Sequence, residues 1–260
     1  MSKKIRGRKL DSVENTCSIL DLLLNNDELG VTEIANELDL TPGTVHCYLN
    51  TLREYGYVVQ EDGKYRLGSR YIHLAEEFKN RIDGFEEIKH ELGSIADECN
   101  ERVKFAIEEQ GKVVYIYQEC GENAVKSSFT IGQREDIHCV AIGKAILAHY
   151  PNKKISSIVK EHGLAKKTPN TITDHETLLN ELERIREQGY AVDNEERIQG
   201  VRCIAVPIFR NSEIIGAISV TGPARRMNDE RLENDLLELL LRSTNVIEVN
   251  SQIRAGGLRE

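Results

Sequence analysis

Two groups of polar residues in this 260-residue chain have types and spacings that could do chemistry. The first group has small polar side chains: Thr41, Thr44, His46, Cys47 and Asn50. Asn can form hydrogen bonds with both polar atoms on the edge of an adenine, and Thr and His can form hydrogen bonds with phosphates or base edges. Such side chains near the start of a helix predict a surface that reads double-stranded DNA. A small helical module that binds another protein is the alternative interpretation.

The second group could bind a small molecule. The segment 134–139 leads into an expected helix that begins near Ala141, where backbone N–H groups at a helix N-terminus favour a carboxylate or phosphate. Ser219 and Thr221 are two residues apart on an expected strand, so both face the same side. Neighbouring strands add two more polar side chains, Asp193 and Cys203.

The same residues allow other chemistry. Cys139 or Cys203 with His138 and Asp193 could form a thiol-nucleophile site, and His138, Cys139 and Cys203 could bind zinc. Adjacent residues on an extended segment point in opposite directions, which weakens both alternatives. A redox-sensing thiol is a third alternative, although the one basic residue beside Cys203 is Arg202, which should face the other way. We expect no catalytic residue, no metal and no cofactor.

Three short helices would position the first group. Apolar spacing predicts helices over 12–25 and 32–38. Thr41 is a good N-cap and Pro42 a good first helical residue for the third helix, which should end before Gly56. Two helices joined by a tight turn can place the second of them in a major groove.

A β-hairpin should follow the third helix and form the wing of a winged helix-turn-helix. The runs 57–60 and 64–67 are joined through Asp62-Gly63, a strong hairpin signal. Alternation along the second run puts Lys64 and Arg66 on the outer face, where they could reach phosphates.

Charge is unevenly distributed along the chain. The formal net charge is −9, and residues 11–75 carry four basic and eleven acidic residues. Residues 1–10 carry five basic residues and no acid. DNA affinity must therefore come from a few local cations, including those of an N-terminal arm like the arms that enter minor grooves. The alternative is a disordered terminus that contacts only solvent. The residues expected to contact DNA are Arg6, Arg8, Lys9, Thr32, Thr41, Gly43, Thr44, His46, Cys47, Asn50, Arg53, Lys64 and Arg66.

Beyond a predicted linker helix in 69–84, helices and strands alternate through 85–254. The expected fold class is therefore mixed α/β (α+β). Helical segments are predicted over 85–99, 141–149, 153–162 and 175–188, with a long final helix after Asn228. Strands are predicted over 103–108, 112–119, 125–131, 190–194, 201–209 and 214–221.

Composition is typical of a soluble globular protein, with 40% hydrophobic and 30% charged residues. No apolar run approaches the ~18 residues of a membrane span, and no signal core follows the basic start. The six cysteines form no Cys-x-x-Cys pair. We therefore expect a cytoplasmic protein with reduced thiols and no membrane partner.

Six separated motifs carry a family resemblance. They read LTPGTVH (40–46), LREYGY (52–57), YRLG (65–68), HCVAIGKAILA (138–148), GYAVD (189–193) and GVRCIAVPI (200–208). With these motifs in this order, the chain resembles IclR-type transcriptional regulators over almost its whole length. The resemblance implies a basic arm over 1–10, a winged helix-turn-helix over 11–68 and a GAF-like effector domain with an antiparallel sheet over 85–254.

Partners and pocket residues follow from the same resemblance. It implies a homodimer or dimer of dimers on a near-palindromic DNA operator, controlled by a small metabolite such as an organic or sugar acid. The positions that match the effector site are His138, Ala141, Ile142, Asp193, Cys203, Ser219 and Thr221.

Two departures from the family pattern matter. Cys47 replaces a commonly basic residue, so the reading helix has no cation from Thr41 to Leu52. Asp136 replaces a proline two residues before His138, and an acid near the pocket mouth would disfavour a purely anionic ligand. The effector, the operator sequence and the choice between repression and activation stay open.

Overall fold

The computed structural model describes residues 9–125 and 130–257, the last seven of these for the backbone only. The chain divides into two compact units between Ile82 and Asp83. Arg6 and Arg8 of the predicted arm lie outside the described residues. Within the described ranges, no helix is long and apolar enough to cross a membrane.

The first unit combines helices with a small antiparallel sheet of order β1-β3-β2. Its core is apolar and includes Ile19, Ile34, Leu49 and Tyr65. The hairpin turn has Asp62 at φ 47° and Gly63 at φ 82°, the paired positive φ angles of a tight two-residue turn. The elements are α1 (Asp11–Leu24), β1 (Leu29–Gly30), α2 (Val31–Glu37), α3 (Pro42–Glu54), β2 (Val58–Glu61), β3 (Lys64–Leu67) and α4 (Arg70–Asn80).

The second unit is built on a six-stranded antiparallel sheet of order β6-β5-β4-β9-β8-β7. Its strands are β4 (Arg102–Glu109), β5 (Lys112–Cys120), β6 (Arg134–Asp136), β7 (Ala191–Asn194), β8 (Val201–Arg210) and β9 (Glu213–Pro223). Its helices are α5 (Phe85–Cys99), α6 (Ala141–Leu147), α7 (Asn152–His162), α8 (His175–Gln188) and α9 (Leu237–Gly257), the last preceded by a π-helical turn, Arg231–Leu236.

Helices α5 and α9 contact each other and strands of the sheet, and α6 packs against β8, β9 and α8. The core beneath α6 is apolar, with Ala205 and Ala217 of the sheet among its buried residues. Gly143 allows the close approach of α6 to the 3-10 turn Ile137–Cys139, because a Cβ atom there would overlap the Ile137 carbonyl oxygen. This packing fixes the start of α6 above the middle of the sheet.

The predicted α+β class, with a helix-turn-helix followed by an antiparallel sheet domain, is confirmed. One predicted strand needs correction. Of 125–131, residues 126–129 lie outside the described part, and Val125, Thr130 and Ile131 are not in a strand. The strand beside β5 at this edge of the sheet is β6, and Gly132 turns the chain at φ 85° before it. Neither β6 nor the short strand β1 was predicted.

Candidate functional site

Helix α3 presents opposite faces to the core and to the outside. Val45 and Leu49 are fully buried, whereas Gly43, His46 and Cys47 are exposed. The helix begins where predicted, since the Thr41 side chain accepts a hydrogen bond from the backbone N–H of Thr44 at 3.2 Å. The predicted reading residues therefore lie on an accessible helix face, and Thr32 is exposed in the first turn of α2.

The side chains on this face are held by hydrogen bonds to one another. The Asn50 amide nitrogen lies 3.0 Å from His46 Nδ1. Arg53 donates to the Asn50 amide oxygen at 3.2 Å and also to Gln60 on the wing. Asn50 is therefore oriented from both sides before any partner arrives, which lowers the entropy cost of using it in recognition.

The cations of the wing are paired with carboxylates. Lys64 donates to Glu28 at 2.8 Å, and that hydrogen bond and charge raise the pKa of Lys64. Arg66 contacts Glu61 at 2.7 Å. In the arm, Lys9 pairs with Glu14 at 2.5 Å. All three pairs are exposed and can exchange their partners for phosphates at small cost.

A cavity in the second unit collects most of the predicted pocket residues. It encloses about 370 Å³, including its open mouth, between the sheet, the start of α6 and the segment after β7. The sheet register explains the convergence: Thr221 lies opposite Cys203, and Cys203 opposite Asp193. The predicted residues that line it are Ala141, Ile142, Asp193, Cys203, Ser219 and Thr221.

Sequence reasoning missed three polar residues that line the same cavity: Lys104, Tyr115 and Arg197. Lys104 lies between buried Val103 and Phe105, which face the other side of the sheet. A lysine flanked by the apolar residues Val103 and Phe105 was the signal that could have identified it, because lysine is rarely buried without a partner.

Two ionisable groups in the cavity have shifted pKa values. Burial and the nearby Glu196 charge raise the pKa of Asp193 to about 7, although its Oδ1 accepts a hydrogen bond from Glu196 N at 2.7 Å. Burial lowers the pKa of Lys104 to about 8, and its ammonium lies 4.8 Å from the centre of the Tyr115 ring. A charged ligand would change the pKa of both groups, because neither charged form is stabilised by bulk water.

His138 is a correction to the predicted pocket. It does not line the cavity that holds Asp193 and Cys203. It lines a separate, smaller cavity together with Asp136 and His162. Its Nε2 lies 3.2 Å from the Ala165 carbonyl oxygen. The cause is the 3-10 turn Ile137–Cys139, which buries the ring. Burial lowers the pKa of His138.

Asp136 also differs from its expected role at the pocket mouth. It lies outside the residues that line the pocket and forms salt bridges with Lys112 and, at 2.7 Å, Lys167. Burial alone would raise the pKa of Asp136, but the hydrogen bonds from these two lysines lower it to about 2. Its charge is therefore neutralised locally, and the expected repulsion of an anionic ligand loses its basis.

The thiol alternatives lack the required electrostatics. Burial raises the pKa of Cys139 and of Cys203 to about 12, so both are protonated at neutral pH, the opposite of what a nucleophilic or redox-sensing thiol requires. Arg202 donates to Met227 and Asp229. Among the residues that the structure describes, no three His, Cys, Asp or Glu side chains are grouped to hold a metal.

Comparison with known families agrees with both units. Residues 12–62 match the IclR helix-turn-helix domain, and residues 79–249 match the bacterial transcriptional regulator IclR C-terminal domain. The chain belongs to the IclR family of transcriptional regulators. The predicted family resemblance is thus confirmed.

Relatives of this IclR-family chain are similar over nearly their full lengths. The "Probable HTH-type transcriptional regulator ArcR" of Halobacterium salinarum is 31% identical over 247 residues, covering 93% of this chain and 94% of the relative. The regulator XynR of Escherichia coli is 34% identical, covering 86% and 91%. The crystal structure of the Thermotoga maritima IclR superposes with a TM-score of 0.80 at 30% identity, covering 94% and 99%.

Family membership assigns a general role to each unit. The helix-turn-helix makes this IclR-family chain a DNA-binding transcriptional regulator, and its C-terminal domain belongs to a class that binds small-molecule effectors. Its relatives are regulators rather than enzymes.

Proposed function

We propose that this regulator binds a near-palindromic operator as a homo-oligomer and that a small organic anion bound in the second unit changes its operator affinity. The observation that carries the effector part is the cavity lined by Lys104, Arg197, Ser219 and Thr221. Cations and hydroxyl groups in a sheltered cavity favour an anionic ligand over a neutral one. A protein with this role acts in the cytoplasm, where the DNA is.

Contacts to DNA are proposed for the exposed face of α3 and for the wing. Asn50, with His46 beside it, is placed to read a base edge, while Arg66 and Lys64 are placed to bind phosphates after exchanging their carboxylate partners. Cys47 leaves α3 without a cation at its centre. Phosphate binding therefore depends more heavily on the wing and on the basic residues at 1–10.

The surface of α4 supports the homo-oligomer. This helix has no buried residue in the single chain. Ile72 is 68% exposed, Phe78 44% and Leu74 42%. Large apolar side chains concentrated on one short helix mark an interaction surface, and a second copy of the chain is the partner that a near-palindromic operator requires.

An effector acts only if it binds two arrangements of the oligomer with different affinities. The second unit supplies the binding cavity, and the first supplies the DNA contacts, so the two activities are linked through the whole chain. Linkage is reciprocal, and operator DNA must change effector affinity by the same factor.

The experiment that tests the DNA-binding part is a titration of operator DNA at increasing salt. Deleting residues 1–9 should flatten the slope of log affinity against log salt by about the number of phosphate contacts removed. Arg66→Gln should flatten it by about one contact. Glu183→Gln, an exposed substitution on α8, is the control and should leave the slope unchanged. An unchanged slope after both arm deletion and Arg66→Gln contradicts the proposed contacts.

A further inference from the structure

A second cavity adjoins the effector pocket and shares Lys104, Thr221, Ile198 and Val201 with it. It encloses about 640 Å³, including its open side, and extends as far as Arg102. The two spaces therefore form one elongated cleft along the start of β4. A ligand that filled only the first cavity would leave the Arg102 end unused.

Two cations lie along this cleft in a repeated arrangement. In the register between β4 and β9, Arg102 lies opposite Thr221 and Lys104 lies opposite Ser219. All four side chains belong to the same face of the sheet, because the members of each strand are two residues apart. Successive positions on one face are separated by about 7 Å. The sheet thus presents two cation–hydroxyl pairs about 7 Å apart.

Both cations are buried. Arg102 is 7% exposed and Lys104 is 3% exposed. The described acceptors of the Arg102 guanidinium are neutral: the Val125 carbonyl oxygen at 2.6 Å and the Gln118 side-chain oxygen at 3.2 Å. A guanidinium has five N–H groups in a fixed fork that suits a carboxylate or phosphate. An anion at this position would complete its coordination with opposite charge.

We propose that the effector is a dianion whose two charged groups lie about 7 Å apart, one bound by Arg102 with Thr221 and the other by Lys104 with Ser219. This inference rests on the proposed effector role of the cleft and specifies its ligand. Val201 and Pro223 lie opposite each other in the register between β8 and β9 and form an apolar wall at the outer, Arg102 end of the cleft. A spacer of a few carbon atoms between the two charged groups suits a separation of about 7 Å.

Two kinds of compound carry two anionic groups on a short carbon chain: α,ω-dicarboxylates, which are dianions, and phosphorylated carboxylic acids, whose phosphate carries more than one negative charge at neutral pH. The test is isothermal titration calorimetry on the full-length chain with succinate, glutarate, adipate and pimelate. Butanoate and hexanoate are the singly charged comparisons, and 3-phosphoglycerate represents the phosphorylated acids. We expect at least one dianion to bind ten times more tightly than the monoanion of matching length, with an optimum inside the dicarboxylate series.

Matched variants assign the two subsites. Arg102→Met keeps an unbranched side chain but removes the guanidinium and its charge; it should weaken dianion binding at least tenfold and change monoanion binding by less than about threefold. Lys104→Met should weaken both classes. Lys89→Met, an exposed substitution on α5, is the control and should change neither. Circular dichroism of each variant establishes that the second unit is folded.

The outcomes separate this inference from the proposed function. Equal affinity for monoanions and dianions, or an Arg102→Met variant that binds dianions normally, overturns the dianion inference and leaves an anionic effector in place. Failure of every anion to bind overturns both the inference and the anionic effector. Operator binding is measured independently, and its salt dependence tests the DNA-binding part alone.

Discussion

Asp193 connects the effector pocket to pH at the scale of a single residue. Burial and the Glu196 charge raise its pKa to about 7, and Lys144, which is paired with Glu196, partly opposes that rise. The folded chain therefore binds more protons than the unfolded chain between about pH 4 and pH 7. It follows that Asp193 makes the second unit less stable as pH rises through this window.

Asp193→Asn should remove this dependence. The variant keeps an oxygen that can accept the hydrogen bonds from Glu196 N and Arg197 N. We expect the second unit to be stabilised by roughly 2–4 kcal/mol at pH 8 and little changed near pH 4. Urea titrations followed by circular dichroism at both pH values measure the difference.

Asp174 provides a control of opposite sign. It caps α8 by accepting from Thr177 N at 2.8 Å, and this bond lowers its pKa. The stability that the ionised Asp174 cap gives to the second unit is present above the ordinary pKa of an aspartate and is lost as pH falls. Asp174→Ala should therefore destabilise the unit at pH 8, and an Asp193→Asn variant that behaved the same way would contradict the assignment.

At the scale of elements, local sequence signals predicted most of the first unit. Thr41 and Pro42 marked the start of α3, and Asp62-Gly63 marked the hairpin turn, because capping and positive φ depend on a few adjacent residues. The strand predicted over 125–131 was wrong at its described ends. The β-branched residues Val125, Thr130 and Ile131 favour a strand by propensity, but strand formation depends on a partner that a single sequence does not specify.

The pocket was predicted only as far as its residues occur in recognisable motifs. Ser219 and Thr221 could be placed on one face from their spacing. Nothing in that spacing indicated that Arg102 and Lys104 lie beside them. Their proximity depends on the register between β4 and β9, which are separated by most of the second unit in sequence. Register is a long-range property of the sheet, and a register shift of one residue would move every side chain of the strand to the opposite face.

Gly143 should prove necessary for the position of α6. Gly143→Ala would place a Cβ atom against the Ile137 carbonyl oxygen, a backbone atom that cannot rotate away. We expect a loss of about 3 kcal/mol or more in the free energy of unfolding of the second unit, measured by urea denaturation.

Gly93 in α5 is the matched control for Gly143. A Cβ atom there meets nothing within 4 Å. Because alanine has a higher helix propensity than glycine, Gly93→Ala should stabilise the same unit by about 1 kcal/mol. Equal effects of the two substitutions would show that contact with the 3-10 turn does not determine the cost.

At the scale of the whole molecule, α4 should determine oligomeric state. Ile72→Glu places a charge in the exposed apolar surface of α4. We expect a shift from the oligomer towards monomer in size-exclusion chromatography with light scattering, accompanied by weaker operator binding. His73→Glu changes an exposed polar neighbour and should have a much smaller effect. An unchanged mass for Ile72→Glu would place the interface elsewhere.

The carboxylate partners of the wing also influence how the protein finds its site. In the free chain Glu28 pairs with Lys64 and Glu61 pairs with Arg66, in the positions that DNA phosphates would take. Under the proposed contacts, DNA of arbitrary sequence would offer only phosphates in exchange and would gain little from the wing, whereas an operator would also offer base edges to Asn50. We therefore expect competing genomic sites to retain the protein only briefly, so that a modest affinity for the operator would still give a high specificity ratio.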